Sequence, residues 1–457
     1  MGRVLRFPRP GVWLGLCLGL WAAEGAAFDL LEAFAAAKTH SADYAAARYA
    51  GEAEAEQKRQ ALAPLLPQAS ATAHYRHQPA SSAADSSSRG WQVQVSQVLF
   101  DPALTAQYRQ GRLAAEAAAW RVKEAESRLL LEVAQAYLAV LQQQDSLAAI
   151  REEKAAYTRQ RQQARALFDK GAATIVDVHE AQAGHDAALA KEIDTVSRLQ
   201  LARHRLADLT GLTETLPQAL PPAGPPADWL AGRSESDWQT LARQHNPERQ
   251  LQQLALEQAR QAVAAARGGH SPKLSLNGAY QDHRNTQDYG GFDRHYRSRG
   301  GSVSVQLNIP LYSGGQTASR VREAAARELQ QRELLTAAER RVRLAVHQAY
   351  RQTHDARYRI LAHQRLWESN RSKLESVRLG RQVGVRSNLD ELQAVQAEAE
   401  ARQQLAEARY GQIMAYLQLL AHSGTLTDET GWAVLRQRLY GPARPSDPSD
   451  QSSSRAR

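Results

Sequence analysis

Two short stretches carry the residues best suited to act, Gly171-Ala-Ala-Thr174-Ile-Val-Asp177 and Gly384-Val-Arg386-Ser387-Asn-Leu-Asp390. Each sets a glycine ahead of a hydroxyl residue and a carboxylate three positions further on. That is the spacing of a capping box, in which Thr174 or Ser387 and its aspartate satisfy the first free N–H groups of a returning helix. Asp177, Arg386 and Asp390, with Arg381 nearby, add charge to these turns, so the chemistry on offer is ion pairing rather than bond making. No nucleophile elbow and no His-Glu-x-x-His occurs in the sequence. His347, His354 and His363 are spaced by seven and nine, unlike the i, i+4 pair of a helical zinc site. Gly290-Gly291, Gly300-Gly301 and Gly314-Gly315 lack the Lys-Ser/Thr of a phosphate loop. The reading is of a non-enzyme with no metal and no cofactor.

The turns are positioned by very long helices. From Pro102 the sequence is helical almost without a break to Phe168, a rod of roughly 100 Å at ~1.5 Å per residue. Leu130, Val133, Tyr137, Val140, Gln144 and Leu147 repeat along it at three-four spacing, as in coiled-coil packing. After the first turn a second helix returns through Leu189, Ile193, Val196, Leu199, Leu206 and Leu209, and Gly211 caps it.

At the other end lie the alternating segments. Val303, Val305, Leu307 and Ile309 alternate with Ser304, Gln306 and Asn308 in Ser302–Tyr312, and Val93–Phe100 is its twin. Strands at Pro67–Tyr75 and Pro272–Tyr280 precede them, with a polar Ser-rich connection between about Gln78 and Arg89. The second half repeats the first: Gly171, Asp177 and Gly211 match Gly384, Asp390 and Gly424 at one common offset, and Gln135-Ala-Tyr137 matches Gln348-Ala-Tyr350 at the same offset. The predicted organisation is a leader at 1–27, a first repeat at 28–215, a Pro-rich linker at 216–236, a second repeat at 237–426, and a segment at 427–457 whose end after Tyr440 reads as disordered.

The leader has Arg3, Arg6 and Arg9, an apolar run Val12–Ala23 and small residues at 25–27, the pattern of a secretory signal. Cys17, the only cysteine, lies inside it behind Leu16, which argues against lipidation and excludes a disulfide. The net charge of +9 is spread along the chain without a basic arm or platform, so no nucleic-acid partner is expected. No stretch reaches the ~18 apolar residues of a spanning helix, yet an exported chain can still cross a membrane as strands. Four strands of about ten residues leave open edges in lipid and must complete a barrel with other chains: two chains would give eight strands with a filled interior, three would give twelve and a lumen. Gln94, Ser96, Ser304, Gln306 and Asn308 suit a wet lumen. Tyr75, Trp91, Phe100, Tyr280 and Tyr312 are expected at strand ends as interfacial aromatics. The competing readings are a soluble hairpin packed on the helices, and a soluble periplasmic coiled-coil adaptor or structural protein.

The order of leader, helix, strand pair, long helical hairpin and linker, followed by the same again, resembles the TolC family of outer-membrane channel-tunnels. Asn246-Pro247, Leu209-Thr-Gly-Leu212, Gly384-Val-Arg-Ser-Asn-Leu-Asp390, Gln404-Leu-Ala-Glu-Ala-Arg-Tyr410 and Gly424-Thr-Leu426 carry the likeness, and Ser41-Ala42 departs from it where an Asn-Pro pair would stand in the first copy. The resemblance implies a mainly α homotrimer whose twelve-stranded membrane β-barrel, four strands per chain, is continued by a twelve-helix periplasmic α-barrel. It implies outer-membrane lipid around the strands, and as partners a periplasmic adaptor (membrane fusion) protein with an inner-membrane ABC or proton-driven transporter. It also implies passive exit of secreted proteins or small toxic compounds. The second turn would then belong to helices that close the tunnel mouth, with Arg386 and Arg381 pairing Asp177 as breakable links, although the family pattern has Tyr where Arg381 stands. Asp390 would form a ring of three carboxylates that favours cations and in which like charges raise one another's pKa. A second acidic ring of the family is Gln393 here, so the mouth would be less strongly cation-selective.

Overall fold

The computed structural model describes residues 27–79, 85–213, 216–219, 228–230, 232–288 and 293–440. The expected leader, residues 220–227 and 231 of the Pro-rich linker and the tail after Tyr440 lie outside them. Helices α1 (Leu30–His40), α2 (Ala42–Ala55) and α3 (Gln57–Leu62) lead through a 3-10 turn into strands β1 (Gln68–Gln78) and β2 (Asp85–Phe100), then into a hairpin of α4 (Pro102–Asp169) and α5 (Ile175–Thr210). The same order returns as α6 (Glu235–His245), α7 (Pro247–Gly268), β3 (Lys273–Asp288), β4 (Asp293–Asn308), α8 (Gln316–Gln382) and α9 (Asn388–Ser423), and α10 (Glu429–Tyr440) follows. α4 and α8 have 68 and 67 residues, and α5 and α9 have 36 each, so the two copies have kept their length as well as their order.

The helix ends follow from local chemistry. Asp101 accepts hydrogen bonds from the N–H groups of Ala103 and Leu104 at 2.9 and 3.3 Å, with Pro102 in the first turn where no N–H is needed. Gly211 and Gly424 close α5 and α9 at φ near +75°, where a side chain would be strained, and a Cβ on Gly424 would fall on the His245 carbonyl. Asn246 caps α7; in the first copy Ser41 does the same for α2, accepting from Tyr44 N–H at 3.3 Å. The departure from Asn-Pro thus leaves the helix start intact.

The four strands form one antiparallel sheet in the order β1-β2-β3-β4. They run further than the alternation predicts: β2 begins at Asp85, inside the expected Ser-rich connection, β3 continues to Asp288, and β4 starts at Asp293 and stops at Asn308, short of Tyr312. A ladder is held by backbone groups, so it continues through polar sequence once register is set, and Pro310, without an N–H, stands just beyond its end. This corrects the placement of the aromatics. Only Phe100 ends a strand; Trp91 and Tyr280 lie mid-strand, Tyr75 is three residues inside β1, and Tyr312 lies past β4, 88% exposed.

α2 and α3 pack along the strand-proximal half of α4, α7 lies between α4 and α8, and further out the order is α5-α4-α9-α8. The main core sits midway along α4, where Leu130, Val133, Tyr137 and Val140 meet Phe34 of α1, Trp238 of α6, Leu417 of α9 and Leu435 of α10. Tyr137 Oη donates to the carbonyl of Phe28 or Gln218 (3.1 and 3.0 Å) and lies 3.1 Å from Tyr440 Oη, tying the chain's beginning, middle and end together. Burial raises the Tyr137 pKa far above its ordinary value.

Candidate functional site

At the turns farthest from the sheet, α4 and α8 each end in a left-handed glycine, Gly171 at φ +73° and Gly384 at φ +77°. In the first, Ala172 N–H reaches Leu167 C=O and Gly171 N–H reaches Phe168 C=O, both at 2.8 Å, which absorbs the last free carbonyls of α4. Both predicted capping boxes form. Asp177 Oδ2 accepts from Thr174 N–H and hydroxyl at 2.9 and 2.8 Å, while Thr174 Oγ1 accepts from Asp177 N–H at 3.3 Å. Asp390 Oδ2 accepts from Ser387 N–H and hydroxyl, both at 2.9 Å, and Ser387 Oγ accepts from Asp390 N–H at 3.1 Å. The Ser387 N–H and hydroxyl, with Arg386 adding less, hold the Asp390 carboxyl below the ordinary aspartate range.

The pairing of Asp177 with Arg386 and Arg381 is not made within one chain. Asp177 is engaged by Thr174. Arg386 lies 4.0 Å from Asp390 Oδ1, its stem folded over Gly380, where a Cβ would come 2.8 Å from Arg386 Cγ. Arg381 turns the other way: its Nε sits 2.6 Å from Glu391 Oε2 and its Nη2 donates to Gln163 of α4 at 2.9 Å. Arg378 approaches the same Glu391 at 3.4 Å. Glu391 is only 5% exposed and was not singled out from the sequence. Its signal was present, because positions equidistant from a helical turn face each other, and Arg381 and Glu391 flank Arg386 at equal distance.

Further up, Arg402 of α9 pairs with Glu152 of α4, Tyr410 Oη donates to Asp145 at 2.6 Å, and Tyr157 Oη reaches the Leu392 carbonyl at 3.5 Å, so α9 is buttoned to α4 by polar contacts beside the buried Ala156, Ala394 and Val395. Buried Glu153 pairs with Lys191 of α5 at 3.4 Å; its burial raises its pKa against the pull of that lysine. His347 and His354 sit 2.9 Å from Glu235 and Asp355, and among the described residues no cluster of His, Cys, Asp and Glu is arranged to hold a metal.

The sheet has two unlike faces. Register rows put Ala71, Val93 and Tyr280 together, then Ala69, Val95, Gly278 and Val303, then Leu276 and Val305, then Leu274 and Leu307. The opposite face carries Ser70, Gln94, Ala279 and Ser302 in one row and Gln68, Ser96, Asn277 and Ser304 in the next, with Gln306 beyond. Val303 is 79% exposed, with no described residue covering it. At the helix-proximal end Lys273 pairs with buried Asp101 at 3.1 Å, fixing the sheet to the start of α4. Among the described residues no helix is long and apolar enough to cross a membrane.

The sequence matches the profile of the family described as outer membrane efflux protein over residues 34–212 and 238–425, which are the two repeats. It is 31% identical to the outer membrane protein TolC of Vibrio cholerae over 80% of this chain and 83% of that one. It is 29% identical to the alkaline protease secretion protein AprF of Pseudomonas aeruginosa, over 78% of this chain and 74% of that one. The fold superposes on the Campylobacter jejuni CmeC outer membrane channel with a TM-score of 0.75, covering 94% of this chain and 97% of that one at 15% identity. The chain belongs to the outer membrane efflux protein family, that of the TolC channel-tunnels, and is an outer-membrane channel for secretion or efflux whose helices extend into the periplasm.

Proposed function

We propose that three copies of the chain close into one pore, with twelve strands forming a barrel through the outer membrane and twelve helical segments prolonging it as a periplasmic tube. The observation that carries this reading is the four-stranded sheet whose β1 and β4 edges are unpaired among the described residues. The internal repeat supports it. Within the chain the two copies meet through β2–β3, α4–α7 and α4–α9. The equivalent contacts of β4 and α8 can only be made with β1, α2 and α5 of a neighbour. Those free surfaces expose Leu329, Leu344 and Leu366 on α8, and Tyr49, Ile193 and Leu201 on α2 and α5. Two copies would give eight strands and an interior filled by side chains; three give a lumen, here lined by the Gln, Ser and Asn face.

In this assembly residues 28–215 and 237–426 are the two pore-building units. The tips bearing Asp177, Arg381, Arg386 and Asp390 form the mouth, with Asp390 as its anionic ring, and Asp177 meets arginines of an adjacent chain. The duct is passive and does no chemistry of its own. An inner-membrane transporter supplies the energy and a periplasmic adaptor couples it to the mouth. The likeness to a protease secretion protein favours a protein substrate and an ABC transporter; the family's efflux members keep small toxic compounds with a proton-driven pump as the second reading. The test is complementation of a strain lacking its own channel. Restored export of a protease by an ABC transporter and adaptor supports the first reading. Restored drug resistance with no protease export would establish the second, and neither outcome would sink the duct itself.

A further inference from the structure

Just beyond the apolar face of the sheet lies a row that the channel reading does not use. Register places Arg89 of β2, Arg284 of β3 and Arg297 of β4 side by side across three strands, with Tyr75 of β1 beside Arg89. The next row inward holds Trp91, Asp282 and Arg299. Like charges directly opposite one another on a sheet repel. Asp282 answers only part of this: it accepts two bonds from Arg297, at 3.2 and 2.6 Å, and lies 4.0 Å from Arg284. Arg299 lies over the Tyr280 ring and donates to its hydroxyl at 2.5 Å. Arg297, Arg284 and Arg299 thus share one carboxylate, Arg89 faces Arg284 beside them, and all four arginines are exposed.

All of these residues share the face that carries Val93, Val95, Val303 and Val305. Ten residues of β3 separate Leu274 from Arg284. At ~3.4 Å per residue and a tilt of about 40°, that is a height of roughly 26 Å, the thickness of an outer-membrane barrel's apolar band. The row lies at the end of the sheet away from the helices, hence at the outer leaflet. Arginine forks match phosphate oxygens in pairs.

We propose that Arg89, Arg284 and Arg297 form a docking site for the phosphate groups of a phosphorylated lipid in the outer leaflet, one site per chain. This rests on the reading that the valine-bearing face meets lipid. The test uses the full chain reconstituted in phosphatidylethanolamine nanodiscs containing either diphosphoryl lipid A or its dephosphorylated form. Thermal unfolding of the wild type is expected several degrees higher with the phosphorylated lipid, and unchanged by millimolar inorganic phosphate. Native mass spectrometry after mild extraction should show retained phosphorylated glycolipid, falling about tenfold for each arginine changed in the series to Arg89→Gln/Arg284→Gln/Arg297→Gln. Equal stability in the two lipids, or equal retention by the triple variant, overturns the proposal, as does a full effect of inorganic phosphate. The wild-type comparison stands even if the variant fails to assemble. Quenching of Trp91 fluorescence by brominated lipid separates the two levels: no quenching overturns the lipid-facing reading and the site with it, whereas quenching without phosphate dependence removes the site alone.

Discussion

Closure by three chains can be tested at a single residue pair. The β1–β2 and β3–β4 ladders share one register under the repeat, Gln68 facing Ser96 in the first and Lys273 facing Asn308 in the second. Between the copies, Val93 faces Tyr280. Because β4 repeats β2 and β1 repeats β3, the same ladder between chains sets Val305 of one opposite Tyr75 of the next. Facing residues in an antiparallel pair have Cα atoms about 4.5–5.5 Å apart, inside the range a disulfide spans. The cost of leaving this seam unmade is large. About half of the eleven residues of β1 aim N–H and C=O outward, and at several kcal/mol per unpaired group in lipid the edge comes to tens of kcal/mol, well above the ~5–15 kcal/mol that holds a domain folded. The chain with Val305→Cys and Tyr75→Cys, oxidised in the membrane, should therefore give a non-reducing gel ladder ending at three chain masses. Cys17, in the expected leader, adds no competing thiol. Moving the second cysteine one residue, as Arg76→Cys, turns it to the other face and should abolish linkage. Linkage by the shifted pair alone would refute the register, and a ladder running past three would refute closure by three chains.

Other outcomes follow from the mouth. Asp390→Ala should reduce cation preference in bilayer conductance, and unchanged selectivity would exclude the ring as the filter. The Asp390 carboxyl is lowered by its Ser387 contacts, so its cap is fully present above the ordinary value of 3.8 and is lost only as pH falls through the lower folded value; amide-exchange protection of the first turn of α9 should stay level from pH 7 to about 4. Glu391→Gln leaves Arg378 and Arg381 facing a neutral group. Since both arginines are partly exposed, the 3–5 kcal/mol of a fully buried pair reduces to about 1–3, read as roughly 5- to 150-fold faster amide exchange at the α8–α9 tip. Gly184→Ala would set a Cβ 2.7 Å from the Tyr157 ring, costing about 1–3 kcal/mol of overpacking and loosening the contact of α5 and α4 in limited proteolysis.

What could be read from sequence alone was what neighbouring residues encode together. Capping boxes at Thr174 and Ser387, the left-handed glycines, the three-four spacing through Tyr137 and the alternation through Val305 are all local patterns, and duplication wrote each of them twice. The outer halves of the strands escaped notice because a ladder through Arg294–Ser302 needs no apolar rhythm. The knot of Phe28, Tyr137, Gln218 and Tyr440 escaped because its members are spread along the whole chain, the two tyrosines alone standing 303 residues apart. Tertiary closure alone brings them together.

The same duplication shows where the two copies have parted. Arg378, Arg381, Arg386 and Glu391 correspond in the first copy to Arg165, Phe168, Ala173 and Val178, so the first tip has no buried carboxylate to clamp, and Arg165 turns to Asp169 on its own helix at 3.2 Å. Backbone, caps and glycines are common to both tips, while the charges differ. Starting the returning helices does not require that difference in charge, since the shared caps already do so. The second tip therefore bears the polar contacts that reach across to α4 through Gln163, and substitutions there should change gating while equivalent ones at Phe168 or Val178 change only packing. Conductance traces of Arg381→Leu and Phe168→Leu, compared at equal trimer yield, decide it: matching traces would mean that the charge difference between the tips has no part in the gate.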